Sequence, residues 1–113
     1  MKKYLVTYHA PVSAQEQMQN NSPEDAQKGM EAWMNWAKKC GEHMVDLGTP
    51  LMGGQKLDTN GGSTASKNEV CGYSILQAES MEHAKQLLQG HPHLGYDNTC
   101  QIEVHEALPI PGM

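Results

Sequence analysis

The spacing of apolar residues along this chain of 113 residues alternates between that of strands and that of helices, and the order of these segments limits the fold to a few topologies. Two runs, Lys3 to His9 and Glu69 to Gln77, carry apolar and aromatic residues on both faces of a strand, which is typical of central strands. Thr99 to Glu106 alternates apolar and polar residues and predicts a strand with one buried face. Leu51 to Leu57 predicts a further strand, placed at an edge because a Gly-Gly pair interrupts it.

Two helices are predicted between these strands. Ser22 is a helix cap, because a proline and two acidic residues follow it directly. Apolar residues then recur every three or four positions and predict a helix that extends to about Gly48. The stripe consists of Ala26, Met30, Trp33, Ala37, Cys40, Met44 and Leu47. Ser80 caps a second, shorter helix, which Gly90 ends.

The order strand, helix, strand, strand, helix, strand predicts an α+β fold, a ferredoxin-like βαββαβ protomer with a four-stranded antiparallel sheet. Right-handed crossovers place the first and third strands in the centre of that sheet. Both helices then cover one face, and the apolar residues on the other face have no helix to cover them. We therefore expect one domain, residues 1–113, that forms a homodimer. The long segment from Asp58 to Asn68 is predicted to be a loop.

Composition excludes several classes of partner. The chain has 13 acidic residues against 8 lysines and no arginine, with a formal charge of -5, so nucleic acid is not an expected partner. No window is apolar over the length of a membrane span, so no membrane association is expected. The three cysteines are too few and too widely spaced for a disulfide framework or a paired zinc motif. They predict free thiols in a cytoplasmic protein.

Short motifs between Gly48 and Val104 resemble those of the YCII-related family. They are Gly48, Leu51 to Gly54, Gly72 to Leu76, Ser80 to Leu88, His91 to Leu94 and Gln101 to Val104. The resemblance extends from about Trp33 to Pro109. It implies a dimeric α/β barrel built from two ferredoxin-like protomers. Members of that family are mostly uncharacterised; some are thought to be small-molecule enzymes, and some are attached to transcription factors.

The chain departs from both branches of the family that it resembles. One branch carries an Asp-Gly-Pro-Phe motif, and the corresponding loop here, Gly61 to Lys67, reads Gly-Gly-Ser-Thr-Ala-Ser-Lys. The other branch is thought to use a histidine on the first helix and an aspartate before the proline that follows the second helix. Those two positions are Ala37 and His91 in this chain. The resemblance therefore implies no catalytic pair at these positions.

Histidines supply the candidate chemistry, because the predicted topology gathers them at the two ends of the sheet. His9, His91, His93 and Asp97 converge at one end, and His43, His83 and His105 at the other. We expect no metal centre and no cofactor, since neither set has the spacing of a helical metal site. A mixed histidine and aspartate site in the first set is the alternative. Aromatic residues complete the candidate ligand-binding set at the first end, namely Tyr8, Trp33, Trp36 and Tyr73.

Three functions are compatible with this pattern. An enzyme, such as a lyase or isomerase acting on a small cyclic or aromatic acid, would use His9 and His93 as acid and base, with Tyr8 or Tyr73 as hydroxyl donor. A non-catalytic small-molecule-binding module would use the same cleft with structural histidines. A regulatory or assembly protein would instead use the open sheet face or the proline-rich tail. The sequence leaves these alternatives open, because fold alone does not determine function.

Overall fold

The computed structural model describes residues 1–10, 22–66, 70–95 and 99–111. Its elements, in chain order, are β1 Lys2–His9, α1 Pro23–Cys40, β2 Met44–Asp46, β3 Gln55–Leu57, β4 Ser63–Ala65, β5 Val70–Ala78, α2 Met81–Leu87 and β6 Gln101–Ala107. Short 3-10 turns follow α1 and precede β6, at Gly41–His43 and Pro92–Gly95. None of the helices in these ranges combines the length and apolarity that crossing a bilayer requires.

Four strands form one antiparallel sheet in the order β2-β5-β1-β6. The predicted α+β, ferredoxin-like arrangement of a four-stranded antiparallel sheet with two helices is confirmed. The two strands expected in the centre are β1 and β5, and they lie there. Both helices also begin where the sequence predicts, because the hydroxyl oxygens of Ser22 and Ser80 accept the backbone N–H groups of Asp25 and His83, each at 3.1 Å.

The first helix is shorter than the sequence predicts. It ends at Cys40 rather than near Gly48, because Gly41 takes a positive φ of 55° and its N–H caps the carbonyl of Ala37. The chain then turns back, and Met44–Asp46 forms the edge strand beside β5. The apolar stripe continued past the true helix end because Met44 and Leu47 pack against the same core from a strand and a turn.

The predicted edge strand from Leu51 to Leu57 is also wrong. Only Gln55–Leu57 is a strand, and it pairs with Ser63–Ala65 as a separate two-stranded ribbon inside the region expected to be a loop. The tip of that ribbon closes on Asp58, whose carboxylate accepts the N–H groups of Asn60 and Gly62. The N–H of Leu51 donates to the carbonyl of Cys71 at 3.0 Å, next to an isolated bridge between Pro50 and Gly72.

The two faces of the sheet differ in cover. On the helix side, Tyr4, Val6 and Tyr8 of β1 are buried with Leu76 and Ser74 of β5. The open face carries the other residues of the same strands. Its half-buried or exposed members are Leu5, Thr7, His9, Tyr73, Ile75, Glu103 and His105. The largest part of the buried core therefore lies on the helix side.

Candidate functional site

A cavity of about 310 Å³ lies between the first half of α1, the turn that follows β2, and the adjoining ends of β1 and β5. Its walls are Tyr8, Asp25, Ala26, Gly29, Met30, Trp33, Leu47, Gly48, Thr49, Pro50, Cys71, Gly72, Tyr73 and His93. A depression of about 320 Å³ on the outer face of α1 is formed by that helix alone and is wide open. The cavity that is enclosed on several sides is the better candidate for a ligand site, because it can bury most of a small molecule.

Tyr8 forms part of the cavity wall and is held by a chain of hydrogen bonds. Its hydroxyl donates to the Ser74 hydroxyl at 2.7 Å, and Ser74 donates onward to the carbonyl of Leu47 at 2.6 Å. Burial raises the pKa of Tyr8 well above its ordinary value, so the phenol stays protonated at neutral pH. Tyr8 therefore offers a ring face and an anchored hydroxyl rather than a phenolate base.

Two glycines allow the turn after β2 to lie against β5. A Cβ atom at Gly48 would stand 1.7 Å from the carbonyl oxygen of Tyr73, and Gly48 has a φ of +80°. A Cβ atom at Gly72 would stand 3.3 Å from the ring of Tyr8. The close approach also brings the N–H of Tyr73 to 3.4 Å from the carbonyl of Thr49. These contacts form the wall of the cavity opposite α1.

The first half of α1 supplies a wall that nothing else in the described chain covers. Ala26, Gly29 and Met30 are exposed, and the side chain of Met30 remains 63% accessible. An apolar helix face left open above a cavity is a surface on which a ligand can be buried. Asp25, one turn earlier, lines the same cavity with an exposed carboxylate.

His91 is the most buried histidine of the described chain and is enclosed by aromatic rings. Its ring centroid lies 4.4 Å from Trp33, 4.3 Å from Trp36 and 4.9 Å from Tyr8. Its Nδ1 accepts the backbone N–H of His93 at 2.9 Å, so neutral His91 carries its proton on Nε2. Burial, with a smaller contribution from His93, lowers the pKa of His91 to about 3. Its Nε2 has no hydrogen-bond partner among the described residues, and the ring packs against the two indoles.

His93 joins the ends of two strands. Its Nε2 donates to the carbonyl of His9 at 2.9 Å, and the backbone of Gln101 also hydrogen-bonds to the ring. Burial lowers the pKa of His93, although both backbone contacts act in the opposite direction. The ring lines the cavity while its nitrogens are engaged by the ends of β1 and β6.

A comparison with family models identifies the wider group. The model of the YCII-related domain matches residues 1–107 of the chain. The chain belongs to the YCII-related family. No curated protein matches it. The match begins earlier than the motifs from Trp33 onward and includes β1, the strand that carries Tyr8 and His9.

In this YCII-related protein, His9 lies apart from the cavity. Its side chain is on the open face, where Nε2 is 2.8 Å from the Thr7 hydroxyl and 3.9 Å from a carboxylate oxygen of Glu103. His105 donates to Glu103 at 3.0 Å, and this bond, followed by the charge of His9, lowers the pKa of Glu103. The structure brings His9 and His93 together through the His9 carbonyl, and their rings do not share the cavity.

The other predicted site residues divide between cavity and core. Trp33 and Tyr73 line the cavity, and the Tyr73 hydroxyl is 3.4 Å from the Asp46 carboxylate. Trp36 is buried, and its indole N–H donates to the carbonyl of Leu87 at 2.8 Å. Asp97 lies outside the described residues. At the other end of the sheet, the rings of His43 and His83 pack 4.7 Å apart, while His105 bonds to Glu103 instead.

Several cavity residues were absent from the sequence prediction, namely Asp25, Gly29, Met30 and the segment from Leu47 to Pro50. The sequence assigns Asp25 to the start of the first helix and Met30 to its apolar stripe, and it gives no role to Gly29. The segment after β2 was assigned to helix and turn, which hid its role as a wall. Within the described ranges, no group of three His, Cys, Asp or Glu residues is arranged to hold a metal ion.

Proposed function

We propose that this YCII-related protein binds a small cyclic or aromatic molecule in the cavity between α1 and β5. The observation that carries the proposal is the combination of aromatic walls with an apolar helix face that the described residues leave uncovered. Tyr8 and Trp33 meet edge to face with centroids 4.8 Å apart, which fixes both rings before a ligand arrives. Rigid apolar walls reduce the entropy lost on binding, so such a cavity favours a flat, compact ligand.

The protonation of Tyr8 and the hydrogen bonds of His93 favour binding over turnover. Burial makes the Tyr8 phenol a weaker acid than usual. The His93 ring forms hydrogen bonds to the backbone of His9 and of Gln101, at the ends of β1 and β6. Acid and base catalysis by His9 and His93 is the alternative function. It has less support, because the ring of His9 is on the open face with Thr7 and Glu103.

Gly29 offers a direct test of the cavity. A Cβ atom at this position meets no atom within 4 Å, so a larger side chain can enter the cavity without displacing the helix. Gly29→Leu is expected to fold stably and to lose the rise in melting temperature that a saturating small aromatic probe gives the wild type. At a hundredfold excess over the dissociation constant, that rise corresponds to about 2.7 kcal/mol. Thermal unfolding with 2-phenylethanol, 2-phenylethylamine and phenylacetate measures it.

Gly29→Ala is the matched control. It is expected to gain up to about 1 kcal/mol of stability from helix propensity and to retain the response to the probes, because a methyl group fills little of the cavity. The proposal is wrong if no probe raises the melting temperature of the wild type. It is also wrong if Gly29→Leu responds as strongly as Gly29→Ala.

We propose further that the open sheet face pairs with a second copy of the chain, as in the dimeric barrels of the family. The support is that Leu5 on β1 is 39% exposed and lies beside the half-buried Ile75 of β5. Cys40, Cys71 and Cys100 are buried and form no disulfide, which fits a reducing compartment such as the cytoplasm.

Leu5→Lys tests the pairing. A lysine in place of Leu5 would bury a charge in the proposed interface and oppose association, so we expect a dimer of the wild type and a monomer of Leu5→Lys by light scattering after gel filtration. Leu57→Lys is the control, because Leu57 is 77% exposed on the separate ribbon, and we expect it to remain dimeric. A monomeric wild type at high concentration contradicts the pairing.

A further inference from the structure

The charges around the cavity bear on the charge of its ligand. Among the described residues that line it, Asp25 is the only Asp, Glu, Lys or Arg, and its side chain is exposed to solvent. His93 adds no positive charge at neutral pH, because burial lowers its pKa below the ordinary value. The chain has no arginine, and its formal charge is -5. A carboxylate ligand would therefore meet a like charge with no cationic partner in these walls.

The aromatic walls favour a cationic ligand, as the carboxylate of Asp25 does. The faces of Tyr and Trp rings carry negative electrostatic potential and attract cations within about 6 Å. Tyr8 and Trp33 both line the cavity and are held in a fixed edge-to-face pair. Met30 adds a polarizable apolar surface beside them. An ammonium group is thus attracted by the carboxylate and by the rings, while a hydrocarbon ring can pack on the same walls.

We infer that the cavity selects a small aromatic or cyclic amine in its protonated form, with the ammonium group at Asp25 and the ring between Tyr8, Trp33 and Met30. This inference rests on the proposed binding function and names its ligand class. It replaces the cyclic or aromatic acid expected from the sequence. The same ligand as an uncharged alcohol keeps the ring contacts and loses the charge contacts.

The effect of charge is measurable although Asp25 is exposed. An exposed ion pair strengthens binding only a few-fold, and a cation beside aromatic rings adds a similar factor. We expect 2-phenylethylamine to bind about tenfold more tightly than 2-phenylethanol, and phenylacetate to bind more weakly than the alcohol. Because the contribution of Asp25 is screened by salt, the preference for the amine should shrink as ionic strength rises.

The experiment is a titration of the full chain with these three probes at neutral pH and low ionic strength, followed by calorimetry or by tryptophan fluorescence. Asp25→Asn is expected to reduce the preference for the amine over the alcohol about three-fold. The ratio of the two affinities is the readout, because a change in the ring contacts alters the amine and the alcohol alike and cancels in the ratio. Glu24→Gln removes the same charge from the same first turn of α1 at a residue that does not line the cavity, and it should keep the wild-type preference.

The outcomes separate the two proposals. If the alcohol binds but the amine binds no better, or phenylacetate binds as tightly as the amine, the inference about charge is overturned and the binding function stands. An unchanged preference in Asp25→Asn, or an equal loss in Glu24→Gln, also overturns the role of Asp25. If none of the three probes binds, the proposed function fails and the ligand class with it.

Discussion

Gly48→Ala is expected to lower the free energy of unfolding by about 2 to 4 kcal/mol. The added methyl carbon would stand 1.7 Å from the carbonyl oxygen of Tyr73. That oxygen belongs to the backbone of the central strand β5, so it cannot rotate aside as a flexible side chain does. The turn after β2 would have to move away from β5, and the hydrogen bond from Ser74 to Leu47 would be lost with it. Urea unfolding followed by tryptophan fluorescence measures the effect.

Gly53→Ala separates this clash from the cost of a positive φ. Gly53 has a φ of +65°, and a Cβ atom there meets nothing within 4 Å. Its replacement should cost only the conformational penalty, about 1 kcal/mol. If Gly48→Ala and Gly53→Ala lose the same stability, the turn does not lie against β5 as described, and the cavity lacks that wall.

The fold was largely predictable from local patterns in the chain. The strands β1, β5 and β6 follow from alternation and β-branched content, and both helix starts follow from Ser22 and Ser80. Helix ends were harder to predict. Gly41 interrupts the predicted first helix, but the apolar residues beyond it keep the helical spacing and pack on the same core. Only the positive φ of Gly41, a property of the folded backbone, decides the end.

The site was predictable in part, because topology gathers residues at an end of the sheet but does not choose their face. Tyr8 and His9 were both expected at the mouth of one cleft. Adjacent residues of a strand point to opposite faces, and here Tyr8 lines the cavity while His9 meets Thr7 on the open face. Strand parity alone would have separated them. The wall from Leu47 to Pro50 depends on the edge strand β2, which the sequence pattern hid inside a helix.

Acidification is the second change with a large expected effect, because the unfolded chain takes up protons at histidines that the folded protein keeps neutral. His91 is neutral in the folded protein, and its pKa of about 3 is lower than the ordinary histidine value that applies when the chain is unfolded. A group with a lowered folded pKa contributes its full stability above its unfolded pKa and loses it as the pH falls toward the folded one. Between about pH 6.5 and pH 3, this costs about 1.4 kcal/mol per pH unit. The pKa of His93 is lowered as well, which acts in the same direction.

The contribution of His91 can be isolated by comparing pH profiles of stability. His91→Gln keeps a side-chain oxygen that can accept the N–H of His93 but cannot take up a proton, so its free energy of unfolding should fall less steeply below pH 6.5 than that of the wild type. Carboxylates titrate in both proteins, and their effect cancels in the difference. Gly53→Ala is the control: a Cβ atom there meets nothing within 4 Å, so it should lower the stability by a similar amount, about 1 kcal/mol, at every pH. Parallel profiles for the wild type and His91→Gln would show that His91 is not held neutral by its aromatic surroundings. A slope that flattens only in His91→Gln would show that this buried imidazole makes the fold sensitive to acid.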